Sequence, residues 1–263
     1  MIPFVKYQGT GNDFILIDNR SAGLRPSKEA IARICDRHFG VGADGLMLLE
    51  HSTEADFRMV YFNSDGGEST MCGNGGRCIT AFAAKLGLAK DGIVTFVAVD
   101  GIHRAQHLED GRVSLQMGSV KGIERGDGYS VLDTGSPHFV QWVEDVMQRD
   151  VHREGRAIRH WEEFEPKGIN VNFAQLIGDR GLSVRTYERG VEGETLSCGT
   201  GVTAAAIAAT AESVGSFSVP VDTPGGRLVV SFTKTGPDEA ENVMLTGPAA
   251  FVFEGMYSTG KFQ

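Results

Sequence analysis

Two stretches of this chain, 126 residues apart, repeat one pattern. Glu68–Ser69–Thr70–Met71–Cys72–Gly73–Asn74–Gly75 and Glu194–Thr195–Leu196–Ser197–Cys198–Gly199–Thr200–Gly201 each place Glu four residues before a Cys-Gly-x-Gly and then enter an Ala-rich segment. A shared cysteine is informative in a chain that has only four. The segments that follow, Gly76–Leu86 and Val202–Val214, are apolar almost all round. A helix of that kind has no face for water and must be enclosed by other elements. The echo therefore predicts an α+β fold of two pseudo-symmetric domains, each a mostly antiparallel β-sheet or barrel wrapped around a central apolar helix, with the active site in the cleft between them. The join is expected at the glycine- and charge-rich Gly118–Gly128. This gives an N-terminal domain over 1–118, to which a segment of about 250–263 returns, and a C-terminal domain over 119–249.

The material for those sheets recurs along the chain. Phe4–Tyr7, Phe14–Ile17, Gly45–Leu49, Phe57–Phe62, Ile93–Val99, Val113–Met117, Ser183–Tyr187, Leu228–Thr233 and Asn242–Thr246 are short β-prone runs bounded by Gly, Asp, Asn or Pro. Ser27–Cys35 reads as a helix opened by a Pro-Ser cap signal. The 35 glycines in 263 residues are well above the ordinary share of about 7%. They suit both a turn-rich β protein and loops whose backbone approaches a ligand closely.

Charge and cysteine usage narrow the function classes. A formal net charge of −9 disfavours nucleic acid and anionic membrane as partners. The N-terminal Met1–Lys6 has no signal-peptide pattern, and the longest apolar stretch, Val202–Ala211, is too short to cross a bilayer. Four cysteines do not make a secreted disulfide scaffold. A soluble cytoplasmic protein acting on a small molecule is expected.

Both Cys-Gly-x-Gly segments open a predicted helix, where unpaired backbone N–H groups and the positive end of the dipole gather. A thiolate is stabilised there, and a carboxylate can be cradled by the same groups. Two such ends on opposite sides of one α-carbon supply what inversion of configuration requires: one sulfur removes the proton and the other delivers one from the opposite face. The carbanionic charge would need preorganised donors in a water-poor site. Cys72 and Cys198 are therefore the candidate acid–base pair. Each alone could be a buried small hydrophobe, the usual fate of a free cysteine; Cys35 and Cys78 lack the helix-start context and are read that way.

In these residues the sequence resembles the diaminopimelate epimerase family, within the pyridoxal-independent two-cysteine racemases. The resemblance runs nearly end to end, through Gly11–Asn12–Asp13–Phe14, Gly42–Ala43–Asp44–Gly45, Phe62–Asn63–Ser64–Asp65–Gly66, Cys72–Gly73–Asn74–Gly75–Gly76–Arg77–Cys78, Pro137–His138–Phe139–Val140, Asn170–Val171–Asn172–Phe173, Tyr187–Glu188–Arg189–Gly190, Glu194–Thr195 with Cys198–Gly199–Thr200–Gly201, Pro224–Gly225–Gly226 and Leu245–Thr246–Gly247–Pro248–Ala249. It implies cofactor-independent interconversion of LL- and meso-2,6-diaminopimelate, toward lysine and peptidoglycan. It also implies no metal and a homodimer. By the resemblance, His138 and Glu188 tune the protonation of the cysteines. Asn12, Asn63, Gly73, Asn74, Asn170, Glu188, Arg189, Gly199 and Thr200 bind substrate, with Arg189 suited to clamping a carboxylate. Three positions depart from the family pattern. Ser136 replaces an Asn two residues before the histidine, Gly45 falls where some members have a substrate-contacting Gln, and the span from Glu188 to Cys198 is one residue longer than in many members, which predicts a loop bulge at Val191–Gly193.

Rival readings fit less well. The separation of Cys72 and Cys78 is unlike a zinc site, the glycine loops lack a phosphate-loop lysine, and there is no Cys-x-x-Cys of a thiol oxidoreductase. Within the same superfamily the alternative is a proline or hydroxyproline racemase or a related isomerase. Taken singly, His138 could be a turn or surface histidine, Glu188–Arg189 an exposed pair, and Asn12 and Asn63 ordinary turn residues. His38, His51, His103, His107, His152 and His160 are read as solvated or structural, and Glu68 and Glu194 as loop anchors.

Overall fold

The computed structural model describes residues 1–178, 181–210 and 213–258. The chain divides into two compact units, one of 1–115 with 248–263 and one of 116–247.

The first unit runs β1 (Ile2–Gly9), β2 (Asn12–Asp18), α1 (Lys28–Cys35), β3 (Gly45–Glu50), β4 (Phe57–Asn63), α2 (Gly73–Lys85), β5 (Ile93–Ala98), β6 (Gly101–His107) and β7 (Arg112–Gln116). The second runs β8 (Val120–Lys121), β9 (Ile123–Gly126), β10 (Tyr129–Asp133), β11 (Pro137–Trp142), α3 (Val151–Arg159), β12 (Asn170–Ile177), β13 (Gly181–Glu188), β14 (Gly193–Thr195), α4 (Gly199–Ala208), β15 (Gly215–Thr223), β16 (Gly226–Gly236) and β17 (Glu239–Pro248). The last strand, β18 (Ala250–Tyr257), returns to pair antiparallel with β1.

Strand pairing is the same in both units. In the first, β1–β2 is antiparallel, β2–β3 parallel, β3–β4 antiparallel, β4–β5 parallel, and β5–β6 and β6–β7 antiparallel. In the second, β10–β11 is antiparallel, β11–β12 parallel, β12–β13 antiparallel, β13–β15 parallel, and β15–β16 and β16–β17 antiparallel. Each parallel step is spanned by a helix: α1 and α2 in one unit, α3 and α4 in the other. Parallel neighbours need such a crossover, whereas antiparallel ones close with short turns. Fourfold use of that rule in one order makes the architecture α+β and twofold repeated.

In each unit the second crossover helix is the enclosed one. Gly73 to Ala83 of α2 are all buried, with β1, β2, β3, β5 and β6 packed against it. α4 buries every residue but Thr200, and β10, β11, β12, β13, β15 and β16 surround it. The small side chains Ala204, Ala205, Ala206 and Ala208 let strands approach α4 closely, so that Val140, Val184, Val202, Val221, Leu228, Val230 and Leu245 form one core around it. Both helices begin three residues earlier than the apolar pattern predicts. Gly76 N–H donates to Cys72 O at 2.8 Å and Val202 N–H to Cys198 O at 2.9 Å, which draws the glycine-rich segments into the first turn. α4 ends at Ala208, short of the expected Val214; Ala211 and Glu212 lie outside the described residues.

The insertion after Glu188 lies in a loop between two strands. Residues 189–192 form the turn of the β13–β14 hairpin, with Gly190 at φ 91° and Glu192 at φ 56°, and Glu188 pairs with Gly193. The extra residue is absorbed in this hairpin loop, next to the expected Val191–Gly193.

Candidate active site

Cys72 and Cys198 are the N-cap residues of α2 and α4. Neither helix has an acidic residue in its first turn, so the positive dipole end is not neutralised locally. Gly75 N–H donates to Cys72 Sγ at 3.2 Å, a cap in which sulfur takes the place of a hydroxyl or carboxylate oxygen. Cys72 is partly exposed and Cys198 buried, and no disulfide joins any of the four cysteines. Cys35 and Cys78 lie in the core, and burial pushes their thiols up, Cys35 to about 12. Both are protonated packing residues.

In the first unit, Asn12 and Asn74 meet beside this cap. Asn74 Nδ2 donates to Asn12 Oδ1 at 3.5 Å, and Asn12 Nδ2 donates to Asp44 Oδ2 at 2.6 Å. Asn63 stands exposed at the end of β4, and the next residue ties that corner together, Ser64 N–H donating to Asp44 O at 3.0 Å. Asp13 is half-buried beside the same group, its Oδ1 accepting from Asp44 N–H at 3.0 Å. Against the burial that would raise it, Arg37 and Lys6 hold its carboxyl down at about 2. No side chain fits at Gly45, where a Cβ would lie 2.6 Å from both Phe62 O and the Tyr61 ring. The absent family Gln is therefore excluded sterically.

Arg77, quoted in the motif but given no role by the sequence, is fully buried. Its guanidinium donates to Gly73 O at 3.1 Å, Asn74 Oδ1 at 2.9 Å, Thr10 Oγ1 at 3.2 Å and Pro248 O at 3.3 Å, neutral oxygens throughout. Desolvation lowers it to about 10, opposed by attraction to Cys78 and Cys72, so it remains a cation at neutral pH. Thr10 is held in a left-handed turn at φ 50°, followed by Gly11 at φ 87°. A β-branched residue is strained there, and the Arg77 and Asn74 contacts keep it in place. Gly9 completes the enclosure: a Cβ would come within 3.1 Å of Asn74 O and 3.3 Å of Arg77 Nη2.

In the second unit, His138 is fully buried, not in a surface turn. Desolvation, and then the nearby Arg189 cation, lower it to about 3; it is a neutral imidazole. Asn172 Nδ2 lies 3.1 Å from His138 Nδ1, and Ser136 Oγ lies 3.0 Å from Nε2. Asn170 is buried and donates to Ser136 Oγ and Pro137 O, each at 3.1 Å, while its Oδ1 accepts from Arg189 N–H at 2.9 Å. The Arg189 guanidinium lies against Lys167 O and Gly168 O. Burial raises the Glu188 carboxyl. Thr200 presents Oγ1 at 3.4 Å from Cys198 Sγ and takes the Thr134 hydroxyl on its carbonyl at 2.8 Å. Gly199 begins α4 as Gly73 begins α2, each giving a main-chain N–H without a Cβ beside it. The supporting residues Asn172, Thr134 and Thr10 are ordinary polar positions on the page of the sequence; nothing in their spacing announces them. Glu194, expected as a loop anchor, lies on β14 and pairs with Arg185 of β13 at 2.6 Å and 2.7 Å.

Among the described residues no group of three or more His, Cys, Asp or Glu is placed to hold a metal ion, and no helix is long and apolar enough to cross a membrane. What the two corners offer is sulfur at helix N-termini, backbone N–H groups and neutral hydrogen-bonding side chains, a set suited to carboxylates and proton transfer.

The family model described as diaminopimelate epimerase matches residues 4–123 and 130–252. The chain belongs to the diaminopimelate epimerase family. A member of that family, the diaminopimelate epimerase of Flavobacterium psychrophilum, is 50% identical over 251 residues, covering 95% of this chain and 97% of its own. The diaminopimelate epimerase of Aquifex aeolicus is 44% identical, with 97% of each chain covered. Among solved structures, the phenazine biosynthesis protein of the PhzF family from Bacillus anthracis superposes with a TM-score of 0.76 over 98% of this chain and 99% of its own, at 17% identity. That likeness is one of fold.

Proposed function

We propose that this chain is an epimerase interconverting LL- and meso-2,6-diaminopimelate without a cofactor, by two-base proton transfer between Cys72, Cys198 and one α-carbon. The observation that carries the reading is the duplicated N-cap: in a family of diaminopimelate epimerases, each unit sets a cysteine at the start of its enclosed helix. One thiolate takes the α-proton and the other thiol returns a proton to the opposite face. A pair of this kind titrates as one unit, one sulfur charged and one neutral. The N–H groups of Gly73 and Gly199 receive the reacting carboxylate, whose charge grows as the α-proton leaves. Asn12, Asn63, Asn74, Asn170, Glu188, Arg189 and Thr200 bind the remaining ammonium and carboxylate groups. His138 and Glu188 tune the protonation of the sulfurs: the first is a neutral donor, the second a carboxyl with a raised affinity for its proton. A substrate lacking the distal amino and carboxylate groups would forgo these contacts, which is a basis for selectivity. A cytoplasmic homodimer belongs to the same reading, and β18, which exposes Phe251, Val252, Phe253 and Met256, is a surface on which a second copy could pack.

Cys72→Ala and Cys198→Ala test the scheme separately. Each is expected to abolish epimerisation, by at least about a thousandfold as is typical for loss of an acid or base, with circular dichroism unchanged. A fully active single variant would contradict it.

A further inference from the structure

The second unit holds a run of hydrogen-bonding groups whose direction is fixed by its partners as far as Ser136, and it ends on sulfur. Asn172 is oriented by its own partners: Oδ1 accepts from the Thr186 hydroxyl at 2.9 Å and Nδ2 donates to Phe139 O at 3.1 Å. The nitrogen beside His138 Nδ1 can only donate, so Nδ1 accepts and the ring proton sits on Nε2. Nε2–H points at Ser136 Oγ, 3.0 Å away, and the same oxygen receives Asn170 Nδ2 at 3.1 Å. With two donors on its oxygen, Ser136 has its own proton left to give, and Thr200 Oγ1 lies 3.4 Å away. Thr200 Oγ1 in turn lies 3.4 Å from Cys198 Sγ.

We infer that Ser136 and Thr200 are positioning residues that extend the hydrogen bond of His138 to Cys198 and hold its sulfur in the acceptor role, as the thiolate. This rests on the epimerase reading above, in which Cys198 must at some stage be the base. No proton has to travel along the run; the aligned hydroxyls act as dipoles whose positive ends face the sulfur. The position of Ser136 decides the outcome, because it is the residue that joins His138 to α4. The charged groups around the run are accounted for. α4 and β12 carry no titratable side chain. β10 brings Tyr129 and Asp133, whose carboxylate takes the Gly135 N–H. β13 brings Tyr187, Glu188 and Arg185, the last paired with Glu194, and Arg189 follows it. β15 and β16 bring Asp222, paired with Arg227, and Lys234.

The test reads the sulfur directly. In a Cys72→Ser background, iodoacetamide alkylation of Cys198 is followed from pH 6 to pH 10 by peptide mass. The expected midpoint lies below the roughly 8.5 of an ordinary thiol. Ser136→Ala should raise the midpoint and slow alkylation at pH 7 about tenfold, the equivalent of one pKa unit. Thr200→Val should do the same, and the double variant should do no more than either alone, the signature of one connected run. Ser136→Thr and Thr200→Ser, which keep the hydroxyls, should stay at the unsubstituted midpoint. An unchanged midpoint in folded Ser136→Ala, or additive effects, would overturn the proposal. So would a midpoint at or above about 8.5 in the Cys72→Ser chain itself, whatever the fate of the other variants. Alkylation does not depend on turnover: a chain that fails to epimerise diaminopimelate yet shows these shifts would remove the substrate assignment and leave the array standing.

Discussion

His138 and Arg77 are both fully buried, and burial acts on them with opposite results. The imidazole loses its charge, held at about 3 by desolvation and then by Arg189. The guanidinium is brought down only to about 10 and keeps its proton, surrounded by carbonyl and hydroxyl oxygens. The first has a consequence for stability. The folded pKa of His138 lies below the roughly 6.5 of an unfolded chain, so the unfolded state binds the proton more readily in between. The stabilisation from neutral His138 is complete above about pH 6.5 and is lost as the pH falls toward 3. Asp13, held at about 2, stays charged at pH 5 and adds nothing to the change, and the comparison with a histidine variant separates His138 from the other groups. Urea denaturation at pH 7.5 and pH 5 should show the native chain losing stability between the two, and His138→Gln losing less. Equal losses would mean His138 is not the group that titrates.

At the scale of elements, the glycines at the starts of α2 and α4 differ in what stands over them. A Cβ on Gly201 would lie 2.2 Å from Asn172 Oδ1, in a fully buried amide pinned to His138, Phe139 and Thr186. A Cβ on Gly75 would meet Met47 Cε at 2.2 Å, the free end of a flexible side chain. Alanine gains about 1 kcal/mol over glycine in a helix interior, whereas overpacking a rigid site costs about 1–3 kcal/mol. Gly201→Ala is therefore expected to destabilise and Gly75→Ala to stay near neutral, compared by chemical denaturation; the reverse order would show that Asn172 is free to move. Elements were legible in the sequence to the degree that they are uniform. The enclosed helices announce themselves by being apolar all round, and Ser27 caps α1 through Ala30 N–H as its Pro-Ser signal suggests. α3 did not stand out, because only Val151, Gly155 and Ile158 of its nine residues are buried and a glycine interrupts it. The Cys-Gly-x-Gly segments were legible as helix openings, while the apolar pattern alone begins three residues later because glycine is a weak helix former.

For the molecule as a whole, the echo around Cys72 and Cys198 is the visible trace of a repeated topology. Six strand pairings recur in the same order in both units. Backbone hydrogen bonding and the crossover rule preserve such an arrangement with little demand on side chains, so the repeat was readable only where chemistry fixes the residues. The supporting polar networks were not readable, since Asn172, Thr134 and Thr10 take their meaning from neighbours distant in the chain. The central claim is that two sulfurs serve the two faces of one carbon, and it is tested most directly by isotope. LL-diaminopimelate incubated with the chain in D₂O, with no added cofactor and sampled before equilibrium, should give meso product fully deuterated at the inverted α-carbon, while the remaining LL substrate stays largely unlabelled because the base that removes a proton is not the acid that returns one. Label appearing in recovered LL substrate as fast as in product would place a single base at the carbon, and no label in either would remove the function.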